Sequence, residues 1–268
     1  MALNIGLVCS KGLERKRGGR LGNEDNYLVC SGGEARYRRD EREVVESAAA
    51  EGTLLAMADG FGGGKEGELA ATAVVRILPK VAKRELKPPL ETQLGAFLEE
   101  AHHVLRERAL SVGPVQMGVA LSVGWIRENC LHWAHVGDTR LYHCRYGRIQ
   151  QLTVDHDFEE MERRAGTLSR GEGSTLAQSL IGGLRGGSEE GLLSLDPLRD
   201  MGNVELQAED LLIFCTLGVS EFVGKAQLAD LIRREQGPQA LAIAMVECAR
   251  QRGCRVNASI LIALVEPY

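Results

Sequence analysis

No run of apolar residues in this chain approaches the ~20 needed to cross a bilayer, so no membrane-spanning helix is expected. The start, Met1-Ala2-Leu3-Asn4-Ile5-Gly6, has no basic head, long apolar stretch or cleavage site, and so does not read as a secretory signal. The seven cysteines are scattered, odd in number and never spaced Cys-x-x-Cys. A disulfide framework is therefore not expected, and the thiols read as reduced and mostly buried in a cytoplasmic protein. Basic residues are not in excess: 32 Lys and Arg against 37 Asp and Glu give a net charge of -5. A general nucleic-acid binder needs the opposite balance. There is no internal repeat and no separating linker. With 268 residues, 44% of them hydrophobic, the chain has material for one substantial domain over 1–268.

What is present is a mixed order of elements. Residues 4–10, 27–30 and 53–58 read as strands. Helices are expected from 66 to about 87, with Leu69, Ala73, Ile77 and Val81 at helical spacing, and from 90 to 110, with Leu94, Phe97, Leu98, Ala101, Val104 and Leu105 on one face. Pro88-Pro89 breaks the chain between them. Strands are expected over 115–125, 130–136, 141–144, 148–152, 204–206, 211–215 and 258–265, with helices over 158–164, 227–236 and 238–251. Short links between neighbouring strands imply antiparallel pairing. The expected class is α+β: a four-layer α-β-β-α sandwich of two antiparallel sheets flanked by helices. The charged stretch 32–52 reads as a solvated loop insertion or a hairpin extension. The Gly- and Ser-rich stretch over 165–200 reads as a flap.

Two short acidic motifs, Asn23-Glu24-Asp25 and Ala58-Asp59-Gly60, sit beside expected strands. Hard divalent cations take oxygen ligands, and Glu24, Asp25, Asp59 and the Gly60 carbonyl are the groups that would hold Mg²⁺ or Mn²⁺. Arg20 offers a planar, permanently charged fork for a phosphate. Gly62-x-Gly64-x-x-Gly67 also fits a dinucleotide fingerprint, but Asp59 at the strand end would repel a pyrophosphate, and the strand-rich middle disagrees with an alternating order.

The segments Arg20-x-x-Asn-Glu-Asp25, Ala58-Asp-Gly-Phe-Gly-Gly63, Gly67-Glu68, Ala134-His-Val-Gly-Asp-Thr-Arg140, Leu152-Thr-x-Asp-His156 and Asn203-Val-Glu-Leu206 together resemble the bacterial metal-dependent protein Ser/Thr phosphatases of the PPM, or type 2C, family. The resemblance implies a two-metal centre whose water attacks phosphoserine or phosphothreonine. It further implies that Asp59 bridges the metals, that Glu24 and the Gly60 carbonyl complete one shell, and that Asp25 orients a water. Arg20 would bind the substrate phosphate. Asp138 would serve an accessory third metal, or else only set a turn.

The departures fall on the chemistry. Leu217 and Val256 stand where the family pattern has metal-binding Asp, and Gly64 stands where it has a histidine that resembles the leaving-group proton donor. An aliphatic side chain ligates no hard cation in any protonation state. The expectation is one weak Mg or Mn site rather than a pair, and a catalytically impaired pseudophosphatase that binds a phosphoprotein or regulatory partner. The alternative is an active phosphatase with a rebuilt or single-metal site, with Glu221, Lys65 or His135 as substitutes. Glu221 itself reads as a helix N-terminal residue after Ser220.

Overall fold

The computed structural model describes residues 2–12, 22–62, 65–82, 89–112, 117–157, 160, 180–181 and 200–267. Their strands form two antiparallel sheets. The smaller sheet has the order β1 (Leu3–Ser10), β13 (Ala258–Val265), β12 (Leu211–Cys215), β8 (Arg140–Arg145), β9 (Arg148–Gln151). The larger runs β11 (Asp200–Glu205), β7 (Cys130–Val136), β6 (Gly118–Arg127), β5 (Thr53–Phe61), β2 (Asp25–Ser31), β3 (Glu34–Arg39), β4 (Arg42–Ser47), with the two-residue β10 (Leu180–Ile181) also paired to β6.

The period of two along each strand builds the layers. On β5, Leu54, Ala56 and Ala58 face the helices α1 (Lys65–Ala82) and α2 (Leu90–Val112), while Leu55 and Met57 face the other sheet. On β12, Leu212 and Phe214 fill the gap between sheets. Ile213 and Cys215 instead meet the second helical layer, α4 (Lys225–Arg234) and α5 (Pro238–Gln251). Three apolar cores result, each a stack of side chains withdrawn from water at roughly 1.5–3 kcal/mol per large residue. The order helix, sheet, sheet, helix is the sandwich expected from the sequence.

Of the two readings of residues 32–52, a loop insertion or a hairpin extension, the structure has the second: Glu34–Arg39 and Arg42–Ser47 form a hairpin that extends the larger sheet, with Ala35 and Tyr37 buried beneath it. Two local readings change. The buried face of α1 is Ala70, Ala71, Val74, Val75, Ile77 and Leu78, so Ile77 packs in the core as expected, Ala73 lies at its margin, and Leu69 is 40% exposed. Small residues at 70 and 71 let the helix lie close on the sheet, and this outranks the bulk of Leu69 in choosing the face. Leu217–Ser220 forms a short helix, α3, that the sequence reading missed; Glu221 is its C-cap, not the N-terminal residue of a helix. The expected helix over 158–164 and the flap over 165–200 lie almost wholly outside the described residues, as does the end of the first expected helix.

Candidate active site

β2 and β5 bring the two acidic motifs together. Asp25 pairs with Asp59 across the ladder, and their position in the alternation turns both toward the gap between sheets. Two residues from the other sheet meet Asp25 there. Thr216 Oγ1 donates to Asp25 Oδ2 at 3.0 Å, and the Ser259 N–H donates to that same hydroxyl oxygen at 3.1 Å. Asp25 is 1% exposed, and its Oδ1 has no hydrogen-bond partner among the described residues. Burial raises its pKa to about 6; hydrogen bonds to the carboxylate and the Arg38 charge pull downward without offsetting burial. Arg38 reaches under the site from the hairpin, donating to the Asp25 carbonyl at 3.0 Å. Cys9 Sγ accepts from Asn23 Nδ2 at 3.4 Å, and burial pushes its thiol up to about 11. That thiol is a packed, protonated group rather than a nucleophile.

Glu24 and Gly60 are joined through the backbone: the Gly60 N–H donates to the Glu24 carbonyl at 3.1 Å. A Cβ at Gly60 would stand 2.1 Å from the Gly67 carbonyl oxygen, so only glycine lets β5 pass this close to the first turn of α1. The Glu24 carboxyl carbon lies 3.0 Å from where a Gly67 Cβ would be, which puts that acid against the same turn. Asn257 fixes this corner: its Oδ1 accepts from the Glu24 N–H at 3.0 Å, and its Nδ2 donates to the carbonyls of Lys11 and Gly22 at 2.8 and 3.0 Å.

Asp138 occupies a separate loop between β7 and β8. Burial raises its pKa to about 6, with Asp155 adding to the shift. Arg140 grips Asp155 with three hydrogen bonds of 2.6–3.0 Å and also donates to the Ser220 carbonyl at 3.4 Å, which ties this loop to α3. Beneath the loop lie two buried histidines, their ring centroids 5.0 Å apart. Carbonyls only accept, so the contact between His135 Nε2 and the Gly137 carbonyl at 3.0 Å places the proton on Nε2. Nδ1 then accepts from the Ser122 hydroxyl at 3.0 Å, which accepts from Thr139 at 2.9 Å. The Gly137 N–H donates to His156 Nδ1 at 3.2 Å, leaving Nε2 of His156 to donate to Asp200 at 3.3 Å. Burial, reinforced by His156, lowers the His135 pKa to about 3, so the ring is neutral. It is a strut for the loop, not a substitute ligand.

Leu217 is half-buried at the start of α3, directly after Thr216. Val256 is 37% exposed, directly before Asn257. Arg20 and Gly64 lie outside the described residues. Among the described residues, no three His, Cys, Asp or Glu side chains gather where one metal ion would bind. The oxygen donors that the structure places at this corner are Asp25 and Asp59, in register on β2 and β5, with Glu24 and Gly60 beside them, while Leu217 and Val256 add none. The sequence reading missed Thr216, Arg38, Asn257 and the two histidines as supports. Thr216 and Asn257 had a signal, since each adjoins a residue, Leu217 or Val256, at which the sequence departs from the resemblance; Arg38 had none.

A family model described as Protein phosphatase 2C matches residues 38–248. The chain belongs to the protein phosphatase 2C family. Within it, the chain is 24% identical over 235 residues to the Serine/threonine phosphatase stp of Listeria welshimeri, covering 86% of this chain and 91% of that one. The structure of the Mycobacterium tuberculosis serine/threonine phosphatase PstP/Ppp superposes over 100% of both chains, with a TM-score of 0.74 at 23% identity. A PstP catalytic domain in complex with two manganese ions covers 99% of each chain, with a TM-score of 0.73 at 23% identity. These likenesses carry the type 2C fold onto the present chain.

Proposed function

We propose that this protein is a type 2C phosphatase family member with little or no hydrolytic activity, acting in the cytoplasm as a regulatory or phosphoprotein-binding module. The observation that carries this reading is aliphatic surface at both expected acid positions: Leu217 is half-buried and Val256 is 37% exposed, each flanked by polar residues that hold the site together. Hydrocarbon supplies no lone pair to a hard cation, and Mg²⁺ sheds its water only for clustered oxygens. Glu24, Asp59 and the Gly60 carbonyl leave room for one weak Mg²⁺ or Mn²⁺ site. Arg20 would bind the partner's phosphate. The net charge speaks against nucleic acid, and no helix among the described residues is long and apolar enough to cross a membrane. All seven cysteines are free thiols, in keeping with a reducing compartment.

The test is hydrolysis of a small phosphate ester and a phosphopeptide in millimolar Mn²⁺, beside an Asp59→Ala control. Turnover indistinguishable from the control supports the proposal; turnover well above it favours the second reading, an active enzyme with a rebuilt or single-metal site. One observation favours that alternative: Asp25 and Asp59 remain in direct register, with Asp25 Oδ1 buried and lacking a described partner.

A further inference from the structure

A fixed positive charge lies beneath the acid pair. On β3, Ala35 and Tyr37 turn toward the helices, so Arg36 and Arg38 turn toward the other sheet. Arg38 is the one that reaches the site. Its Nη1 donates to the Asp25 carbonyl at 3.0 Å and to Cys9 Sγ on β1 at 3.7 Å. Its backbone is clamped as well. The β2–β3 ladder ends at the pair Val29 and Arg36, and beyond it the side chain of Asn26 takes over. Asn26 Oδ1 accepts from the Arg38 N–H at 2.9 Å, and its Nδ2 donates to the Arg38 carbonyl at 2.9 Å and to Thr72 Oγ1 on α1 at 3.0 Å. Asn26 is buried, so water does not compete for these bonds. Backbone and head group are both held, and the guanidinium keeps one position.

The charges around Arg38 leave it facing Asp25. Glu43 stands opposite it in the hairpin, but the Glu43 carboxylate is exposed and accepts the Tyr27 hydroxyl at 2.6 Å, and among the described residues Arg38 makes no ion pair. Water screens an exposed charge such as Glu43 more than one acting through the protein. The Arg38 charge does act on the Asp25 carboxyl, drawing its pKa down against the rise that burial causes. Asp25 and Asp59 are in register, with Glu24 beside them. Acids this close repel one another unless a cation stands near them, and Leu217 and Val256 bring no oxygen to hold a mobile one.

We propose that Arg38 is the resident cation of this corner: its guanidinium steadies Asp25 and Asp59 in the metal-free protein and, by the same charge, opposes the binding of Mg²⁺ or Mn²⁺ beside them. This rests on the reading of Glu24, Asp59 and the Gly60 carbonyl as one weak cation site. Like charges repel, so removing the guanidinium has two linked effects. The metal-free fold loses stability, and the corner takes a divalent ion more readily.

The test uses the full chain and two substitutions. Arg38→Gln keeps a side-chain amide donor and removes the charge; Arg38→Lys keeps the charge. Thermal unfolding with and without millimolar Mn²⁺ reads stability, and calorimetric titration with Mn²⁺ reads affinity. Wild type and Arg38→Lys are expected to gain little from the metal. Arg38→Gln is expected to melt lower without Mn²⁺, to recover with it, and to bind it about tenfold more tightly than wild type. Asp59→Asn in the Arg38→Gln background should remove that gain. A purely structural role lowers the melting temperature equally in both conditions. That outcome, with Mn²⁺ affinity unchanged in Arg38→Gln, overturns the proposal, as does Arg38→Lys behaving like Arg38→Gln. If Arg38→Gln does not fold without metal, refolding in Mn²⁺ is expected to rescue it, and no rescue overturns the proposal. Tight Mn²⁺ binding by wild type overturns the weak-site reading and this inference together, whereas weak binding by wild type with no gain in Arg38→Gln overturns this inference alone.

Discussion

The Thr216 hydroxyl donates to the Asp25 carboxylate at 3.0 Å across 191 residues of sequence and from one sheet to the other. The bond is buried on both sides, and the same oxygen accepts the Ser259 N–H. It fastens the strand carrying the acidic motif to the turn that begins α3, and so sets how far Leu217 stands from Asp25 and Asp59.

Removing that donor leaves a buried carboxylate oxygen without its hydroxyl partner. Thr216→Val keeps the volume and loses the bond, and is expected to destabilise the fold by about 1–3 kcal/mol, while Thr216→Ser stays near wild type. Urea midpoints compare the two. Equal midpoints for Val and Ser would mean the bond carries no stability.

The raised pKa of Asp25, about 6 against an ordinary 3.8, makes a pH-dependent contribution of defined sign. Between those values the folded protein holds a proton that the unfolded chain releases. The contribution is full below about 4 and is lost as pH rises through about 6. Relative to wild type, Asp25→Asn should gain about 1–3 kcal/mol between pH 4 and pH 7. Asp138 titrates in the same window, so the difference between variant and wild type is the quantity to read. A flat difference would refute the assignment.

His135 acts with the opposite sign. Its pKa falls to about 3 in the fold, from 6.5, so the unfolded chain takes up a proton that the folded one refuses. Its contribution is full above about 6.5 and is lost as pH falls toward 3. His135→Asn should flatten the acid limb of the stability curve while lowering stability at pH 7.5 by roughly 1–3 kcal/mol, because the Ser122 and Gly137 bonds are disturbed. Unfolding from pH 4.5 to 8 measures both, and an unchanged acid limb would show that the ring does not carry that slope.

Much of this molecule is legible in its sequence. Leu211–Cys215, Ala258–Val265 and Pro238–Gln251 begin and end where alternation, helical spacing and the Gly237-Pro238 break say they should. The motifs Asn23-Glu24-Asp25 and Ala58-Asp59-Gly60 do meet in one ladder. What was hidden depends on distance along the chain. Nothing near Arg38 announces a bond to the Asp25 backbone, and nothing near His135 announces a histidine 21 positions later in the same network. Over 34–47 the sequence left a loop and a hairpin both open, because the stretch is heavily charged and only Ala35, Tyr37 and the half-buried Val44 record the face packed on the core.

The two aliphatic positions give the most direct handle on function. Leu217 is half-buried and Val256 is 37% exposed, so an acid at either place meets water and is tolerated by the fold. One added carboxylate supplies a single oxygen cluster, too few for a cation that prefers six ligands. Two added together surround the Asp25–Asp59 pair from the α3 side and the β13 side. Leu217→Asp with Val256→Asp is therefore expected to raise Mn²⁺ affinity at least tenfold by calorimetry, where either change alone does much less. Adding Gly64→His should then produce phosphatase turnover that Asp59→Ala in the same background removes. If the double variant folds as wild type by circular dichroism and still binds no additional Mn²⁺, the proposal that Leu217 and Val256 limit metal binding here is overturned.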